Sequence, residues 1–459
     1  MKNEAKQFFA PQAWVAGAWA RDVLLVVAAD GSWSQITPNA TAQQRAAATR
    51  LNGPVLPGVV NAHSHAFQRA IVGLTERRSS GAGAADDFWS WRDRMYSAAN
   101  CITPEQLETI ASQLYAELLA GGYTQVCEFH YLHNAIAGSQ YANPAEMSLA
   151  LVRAAQRTGM GLTLLPTLYM RSGFSATGLR DDQRRFASTP DSIMRVVEDV
   201  QRHAVLDARI NVGVAIHSLR AVAPAALKEL AAYAHAAGLP VHIHIAEQTQ
   251  EVDDCLVHTG QRPIEWLLNH AEVNARWNLV HATHTTPDEL RGVQARGASI
   301  VICPATEANL GDGVFDLPGY AKVHGTWSIG SDSHVTRRWS EELRLLEYSQ
   351  RLTQRKRNVA AQVMGQPSSA AALLEATLSG GLAASGQALG GIAVGQRADF
   401  CVLDAHSPAL LGIPSDHVLD ALVFSSPDAR FDAVYVAGQA AHTQGDARFA
   451  QTMHALWGG

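Results

Sequence analysis

Cysteine is scarce in this chain of 459 residues, and no two cysteines stand close together in the sequence. The cysteines are odd in number and lie in apolar or helical segments: Cys101, Cys127, Cys255, Cys303 and Cys401. This usage favours reduced thiols in a cytoplasm and argues against a disulfide framework. Cys303, in the segment VICPATEAN, could bind a metal, but a small core residue at the end of a strand is the simpler interpretation.

Blocks of like charge and long apolar runs are also lacking. The 36 basic and 42 acidic residues give a net charge of −6 and are spread along the chain, so we expect neither a nucleic-acid partner nor a disordered acidic tail. The first residues, MKNEAKQFFAPQAW, have no apolar core of the signal-peptide type, and no apolar run suits a membrane span. We therefore expect a soluble, cytoplasmic protein without a membrane partner.

What the chain does contain is an alternation of strand-like and helix-like segments. The segment that begins at Thr103 shows the helix signals: Thr103 as the cap, Pro104 in the first turn and Gln106 three residues after the cap. Such segments lie between apolar runs that predict eight strands: VLPGVVNAHSH, TQVCEFHY, GLTLLPTLYM, INVGVAIHSL, PVHIHIAE, WNLVHATH, ASIVICPAT and TWSIGSDSH. Eight strands with helical crossovers predict an α/β fold, a parallel (β/α)8 TIM-like barrel whose chemistry lies at the C-terminal ends of the strands.

The two ends of the chain have a different character. Short β-like runs such as DVLLVVAA near the start and FDAVYVAGQAAH near the end are separated by turn residues. We expect both ends to form one small β-sandwich domain, residues 1–55 plus 388–459, beside a metal-dependent barrel of residues 56–387.

Histidines cluster at the predicted strand ends. His63 and His65 lie two residues apart, so both side chains point to the same side of the first strand. Alone this pair is weak evidence for a metal site, because partly buried histidines with ordinary hydrogen bonds are common. The fifth strand adds His242, His244 and Glu247, of which His244 lies nearer the barrel mouth and is the better ligand candidate.

The sixth and eighth strands complete a candidate metal site. The sixth ends in LVHATH, with His281 and His284, and the eighth ends in GSDSH, with Asp332 and His334. Three histidines and Asp332 would bind one divalent cation and leave room for water; this ligand set suits Zn²⁺, with Fe²⁺ and Mn²⁺ left open. The fourth strand offers no Lys or Glu to bridge a second metal, which favours a single ion. Asp332 could otherwise be a turn or cap residue.

The motifs HSH, HIAE, VHATH and GSDSH on an eight-stranded barrel with split β flanks resemble the amidohydrolase superfamily. Longer segments, NAHSHAFQRAIVG, DDFWSWRDRMY and HIHIAEQTQEV, resemble its formimidoylglutamate deiminase family, an enzyme family of bacterial histidine degradation. The resemblance implies hydrolysis of a C–N bond in a linear amidine, N-formimidoyl-L-glutamate, to N-formyl-L-glutamate and ammonia. It spans nearly the whole chain.

The resemblance also implies a role for each matching residue. The implied zinc ligands are His63, His65, His244 and Asp332; the implied catalytic residues are Glu247, His281 and Asp332; and the implied substrate-binding residues are Gln68, Arg92, Tyr131, His217 and Arg220. Arg92 lies in a Trp-rich segment, residues 76–100, that we expect to be a loop, and Arg94 could replace it there. Without the resemblance, Arg92 could simply stack on a ring, and Tyr131 could be barrel packing.

The implied mechanism assigns the proton transfers. Asp332, helped by His281, takes a proton from a metal-activated water, and Glu247 protonates the departing nitrogen. We expect orienting or surface roles for His133, His284 and His334. Two other functions remain open: a related deaminase acting on a purine or triazine ring, and a scaffold without catalysis. A homodimer is expected because symmetric dimers are the commonest assemblies.

Overall fold

A computed structural model describes residues 5–77 and 87–458 of the chain. The strands are β1 Lys6–Val15, β2 Ala18–Val27, β3 Trp33–Thr37, β4 Thr49–Arg50, β5 Val55–Pro57, β6 Val59–Ser64, β7 Tyr123–His130, β8 Gly161–Leu168, β9 Ile210–Val212, β10 Val214–Ile216, β11 Val241–Ile245, β12 Trp277–His281, β13 Ser299–Ile302, β14 Thr326–Ile329, β15 Phe400–Leu403, β16 Phe431–Val436 and β17 Gln439–Ala440.

The α-helices are α1 Ala42–Ala47, α2 Phe88–Ala99, α3 Pro104–Ala120, α4 Glu146–Thr158, α5 Pro190–Ala204, α6 Pro224–Ala237, α7 Thr249–Thr259, α8 Pro263–His270, α9 Pro287–Ala295, α10 Pro304–Leu310, α11 Leu317–Lys322, α12 Trp339–Gln354, α13 Val359–Met364, α14 Ser369–Ser385, α15 Val418–Phe424 and α16 Phe449–Trp457. Short 3-10 helices cover Ala66–Ile71, Asp181–Phe186 and Pro408–Leu410. Among the described residues, no helix is both long and apolar enough to cross a membrane.

The predicted barrel is confirmed. Parallel strands follow one another in the order β6, β7, β8, β10, β11, β12, β13, β14, and β9 pairs with β8 as the first half of a fourth strand that is interrupted at Gly213. Every residue of β6, β7, β8 and β11 is buried, as expected for parallel strands that helices cover on the outside. The C-terminal ends of all these strands therefore open on one side of the barrel.

The barrel closes at the residues that carry the candidate chemistry. Ser64 forms a parallel bridge with Asp332, where the backbone N–H of Asp332 donates to the carbonyl of His63 at 3.0 Å. Next to this bridge, a Cβ on Gly330 would lie 2.6 Å from the Cβ of His63. Only glycine therefore lets the end of the eighth strand approach the first so closely.

The crossover helices begin where the sequence signals place them. At the start of α3, the hydroxyl oxygen of Thr103 accepts from the backbone N–H of Gln106 at 3.3 Å, and the Gln106 side chain accepts from the N–H of Thr103 at 2.9 Å. Because this capping box satisfies two otherwise free backbone donors, it fixes the first turn of the helix.

The segment 76–100 differs from the predicted loop, because residues 88–99 form α2. The Asp87 carboxylate accepts from the backbone N–H groups of Trp89 and Ser90 at 3.0 and 3.1 Å and so caps the helix. Residues 78–86 of this segment lie outside the described residues.

A second sheet unites the two ends of the chain and fits a β-sandwich. Its order is β17, β16, β15, β5, β1, β2, β3, with β4 paired to β1. Phe8 from the start of the chain packs on Phe400 and Tyr435 from the end, with ring centroids 5.3 Å from each. The run predicted as a single strand from residue 55 to 65 is two strands, because β5 pairs within this sheet whereas β6 begins the barrel. The domain boundaries at 55/56 and 387/388 remain our proposal.

Candidate active site

Three imidazoles converge at the mouth of the barrel. The Nε2 atom of His63 lies 3.1 Å from Nε2 of His65 and 3.0 Å from Nε2 of His244. Nδ1 of His65 lies 2.8 Å from the carbonyl oxygen of Phe129 and must carry the proton that is donated there. A neutral ring protonated at Nδ1 presents a lone pair at Nε2. The three Nε2 atoms therefore face one point as potential ligands.

Asp332 brings a negative charge to the same point. Its Oδ1 atom lies 3.4 Å from Nε2 of both His63 and His65. Burial alone would raise the pKa of Asp332, but hydrogen bonding from His63 and the nearby imidazoles hold it below its usual value. Burial lowers the pKa of His63 to about 3 and that of His244 well below its usual value, so both rings are neutral. Neutral imidazoles and one carboxylate form a donor set that fits a divalent cation.

A second group of acidic residues surrounds His281 beside this cluster. Nε2 of His281 lies 3.7 Å from Oε1 of Glu247 and 3.9 Å from Oδ2 of Asp332. On the other side of the ring, Nδ1 lies 3.3 Å from Oε1 of Glu307. Burial raises the pKa of Glu247 to about 7, although His281 opposes this shift. A carboxyl group with such a pKa can donate and accept protons near neutral pH.

The backbone at these strand ends is strained. Ala246, His281, Ala282, Asp332 and His334 all have positive φ, between 45° and 69°. Each non-glycine residue in this region costs about 1–3 kcal/mol, and such residues gather at functional sites. Glu251 supports the turn after β11 by accepting from the backbone N–H groups of Ala246 and Glu247, at 3.3 and 3.1 Å.

A cavity that opens to solvent lies directly above the cluster. All of the predicted substrate-binding residues line it, from four different parts of the chain: Gln68, Arg92, Tyr131, and His217 with Arg220. His65, His244, Glu247, His281 and Asp332 line the same cavity. The structure thus brings the predicted metal, proton-transfer and substrate-binding groups to one place.

The two cavity arginines lie near one aromatic ring, that of Trp89. The guanidinium of Arg92 lies 4.5 Å from the ring centroid of Trp89, and that of Arg220 lies 5.7 Å from the same centroid. Within the described part of the chain, the carboxylate nearest to Arg92 is that of Asp93 at 3.8 Å, and no carboxylate lies within 4.0 Å of Arg220. In contrast, Arg94 points away and donates to the carbonyls of Thr75 and Arg77.

Of the three histidines left unassigned by the sequence, His133 and His334 bind backbone carbonyls instead of the cluster, whereas Nε2 of His284 is buried without a hydrogen-bond partner among the described residues. His334 donates through Nε2 to the carbonyl of His65 at 3.0 Å, and His133 donates to that of Thr167 at 2.8 Å. His242, one layer deeper than His244, donates to the carbonyl of Ala384. Cys303 is buried beside His281 and Glu307. Of these, His334 contacts a predicted ligand directly and so orients it.

Sequence reasoning missed several residues around the cavity. Tyr96 and Tyr169 have hydroxyls 3.1 Å apart, and the Gln183 amide donates to both at 3.3 and 3.0 Å. Glu307, whose carboxylate contacts Nδ1 of His281, lies four residues after Cys303. From the sequence, only the thiol of Cys303 was considered in that segment. Among the described residues of α2, Phe88, Trp91, Met95 and Tyr96 also line the cavity. Their helical spacing was the signal that could have found them, but the segment was expected to be a loop.

Comparison with known proteins agrees with this geometry. The model of the amidohydrolase family matches residues 55–441. The chain is 45% identical over 431 residues to a formimidoylglutamate deiminase of Pseudomonas aeruginosa, covering 94% of this chain and 93% of that protein. It is 27% identical to a 5-methylthioadenosine/S-adenosylhomocysteine deaminase of Halobacterium salinarum, covering 79% and 76%.

A solved structure points the same way. The crystal structure of an amidohydrolase from Brucella melitensis superposes with a TM-score of 0.90 at 40% identity, covering 98% of this chain and 99% of that one. The resemblance drawn from the motifs is thereby confirmed, and this chain belongs to the amidohydrolase family.

Proposed function

We propose that this chain is a hydrolase that converts N-formimidoyl-L-glutamate and water to N-formyl-L-glutamate and ammonia. One observation carries the choice of substrate: Arg92 and Arg220 line the same cavity as the histidine cluster, and neither guanidinium has a carboxylate within hydrogen-bonding distance among the described residues, since the exposed Asp93 lies 3.8 Å from Arg92. Buried cations without partners are costly, so a ligand with anionic groups is expected to supply them. The deiminase name of the 45% identical relative supports the same substrate.

For the metal we propose a single divalent cation, Zn²⁺ before Fe²⁺ or Mn²⁺, held by His63, His65, His244 and Asp332. The convergent Nε2 atoms and the lowered pKa of Asp332 support this set. Such an ion, when bound, lowers the pKa of water from about 15.7 towards about 7 and so supplies a nucleophile at neutral pH.

Two carboxyl groups move the protons in this proposal. Asp332 accepts a proton from the attacking water, with His281 close enough to assist through Nε2 at 3.9 Å. The new C–O bond forms at the formimidoyl carbon and gives a tetrahedral intermediate. Glu247, with a pKa of about 7, protonates the terminal nitrogen as the C=N bond becomes a single bond, and the proton that Asp332 took from water reaches the same nitrogen before the C–N bond breaks. Ammonia then leaves in place of an amide anion, and the hydroxyl proton of the intermediate returns to Glu247 as the carbonyl forms.

The glutamate part of the substrate is bound on the other side of the cavity. Arg92 and Arg220 offer planar, bidentate donors to its two carboxylates. Gln68, Tyr131 and His217 add neutral hydrogen-bonding groups; burial lowers the pKa of His217 well below its usual value, so its ring adds no charge. A deaminase for a purine or triazine ring would instead need an apolar, ring-sized pocket.

Ammonia release decides between these functions. The purified protein should release ammonia from N-formimidoyl-L-glutamate in preference to N-formimidoyl-L-aspartate and guanine. Absence of turnover, or a preference for guanine, would exclude the proposed substrate. If the purified protein contains no metal and turns over none of these compounds, the result would favour a scaffold without catalysis.

We also propose a cytoplasmic homodimer. The free cysteines support a reducing compartment, since among the described residues four are buried and none is paired. The dimer rests on the general frequency of symmetric pairs, and analytical ultracentrifugation would test it.

A further inference from the structure

One arginine of the third strand's loop holds the turn that carries Arg220. The side chain of Arg171 donates through Nε to the carbonyl of Arg220 at 3.1 Å and through Nη2 to the carbonyls of Leu219 and Val222, both at 3.1 Å. The carbonyl between them, that of Ala221, accepts from the backbone N–H groups of Met170 and Arg171 at 2.9 and 3.1 Å. Four successive carbonyls, from residue 219 to residue 222, are thus bound by two neighbouring residues.

This arrangement uses properties that only arginine has. Its rigid, planar fork directs several N–H groups in fixed directions, whereas lysine offers one flexible point charge. Nη1 of Arg171 also donates to the carbonyl of Phe174 at 3.3 Å, so that the guanidinium is tied to its own loop. Among the described residues, each hydrogen-bond partner of the Arg171 side chain is a backbone carbonyl, and no carboxylate lies within 4.0 Å of its guanidinium.

The turn leaves the barrel directly after β10 and places Arg220 in the cavity. In the described part of the chain, no carboxylate lies within 4.0 Å of the Arg220 guanidinium. Glu247 and Glu251 attract it only from a greater distance, and its ring contact, 5.7 Å to Trp89, is a long one. The direction in which Arg220 points therefore depends on its backbone, and Arg171 holds that backbone. Bidentate binding of a carboxylate is sensitive to such a direction.

We propose that Arg171 is a positioning residue for substrate binding: it fixes the turn at residues 219–222 so that Arg220 presents its guanidinium to a substrate carboxylate. The inference rests on the proposed function, because it takes Arg220 as a group that binds substrate. Arg171 itself lies behind the turn, is absent from the residues that line the cavity in the described structure, and takes no part in proton transfer.

A double-mutant cycle tests this role. Arg171→Gln should raise KM for N-formimidoyl-L-glutamate about tenfold and change kcat less than about threefold. In an Arg220→Lys background, which keeps a cation so that turnover stays measurable, the same substitution should change KM less than about twofold, because two residues that act through one contact are not additive. Arg171→Lys should recover only part of the loss, since it cannot reach all three carbonyls.

Arg276→Gln is the matched control. Arg276 also donates to a backbone carbonyl of a neighbouring loop, that of Gly238 at 2.5 Å, but it precedes β12 and so lies at the opposite end of the barrel. This variant should keep the wild-type KM even where its melting temperature falls as far as that of Arg171→Gln.

The possible results separate the two proposals. Wild-type protein that does not turn over N-formimidoyl-L-glutamate overturns the proposed function, and this inference with it. Wild-type turnover combined with equal effects of Arg171→Gln in both backgrounds, or with a loss confined to kcat, overturns only the role of Arg171. A variant that fails to fold is replaced by Arg171→Lys in the same cycle.

Discussion

The Nε2 atoms of His63 and His244 lie 3.0 Å apart, although the two residues are separated by 181 positions in the sequence. Each sits at the end of its own barrel strand, and both pKa values are lowered by burial, so neither ring is charged. Two ring nitrogens can approach so closely when one donates a proton or when both bind a cation. Nε2 of His65 at 3.1 Å and Oδ1 of Asp332 at 3.4 Å from His63 Nε2 favour the cation.

Removal of the metal should therefore lower both activity and stability. We expect about one equivalent of metal in the purified protein by elemental analysis, and loss of turnover after treatment with a chelator. Bound metal at about 100 times its dissociation constant would contribute about 2.7 kcal/mol to the free energy of unfolding, so the melting temperature should fall with the metal and recover on its return. Full activity in metal-free protein would contradict the proposed site.

Glu247 should be needed for turnover but not for metal binding. Glu247→Gln removes the proton donor while keeping the shape of the side chain, so kcat should fall about 10²–10⁴-fold. The metal content should stay at the wild-type level, because Glu247 contacts His281 and is not among the proposed ligands. Loss of metal together with activity would mean that Glu247 has a structural role. His244→Gln serves as the comparison, since it should lose the metal itself.

The parts of the fold that could be predicted from the sequence are those with a local or periodic signal. The cap at Thr103, with Pro104 and Gln106, predicts α3 within a residue, because its hydrogen bonds link neighbours in sequence. The alternation of side chains along a strand places His63 and His65 on one face. A barrel then brings the ends of distant strands together, which is why ligands far apart in sequence could be grouped before their distances were known.

The parts that could not be predicted depend on partners that leave no pattern. Arg171 binds backbone carbonyls, which every residue possesses, so nothing in the sequence marks its target turn. The helix α2 is different, because Phe88, Trp91, Met95 and Tyr96 do recur at helical spacing after the cap Asp87; the expectation of a loop overlooked this signal. The division between β5 and β6 at Gly58 follows from pairing with β15, a contact with the far end of the chain.

Replacement of Arg92 by methionine should raise KM much more than replacement of Arg94 by methionine. Arg92 lines the cavity, whereas Arg94 donates to the carbonyls of Thr75 and Arg77. Loss of a charged hydrogen bond of about 1.5–3 kcal/mol corresponds to about 10–150-fold in affinity, so Arg92→Met should raise KM by that order. Arg94→Met should leave KM close to the wild-type value. Steady-state kinetics with N-formimidoyl-L-glutamate measure both, and the reverse ranking would assign the contact to Arg94.

His133 should make the stability of the protein depend on pH. Its Nε2–H donates to the carbonyl of Thr167, Nδ1 has no partner among the described residues, and burial lowers the pKa of His133 to about 4. In the unfolded chain a histidine has a pKa of about 6.5. Between these values the unfolded state binds more protons, so the free energy of unfolding falls as the pH falls from about 6.5 to about 4, by up to about 1.4 kcal/mol per pH unit.

Replacement of His133 by glutamine removes this titration but leaves a group that can donate to the carbonyl of Thr167. The free energy of unfolding, measured by urea denaturation, should therefore decrease less between pH 7.5 and pH 5 in His133→Gln than in the wild type. Effects of pH on the metal site are common to both proteins and cancel in the difference. His406→Gln, at an exposed position, is the control for loss of a histidine as such. Equal decreases in the wild type and His133→Gln would show that burial of this ring has no energetic consequence in that pH range.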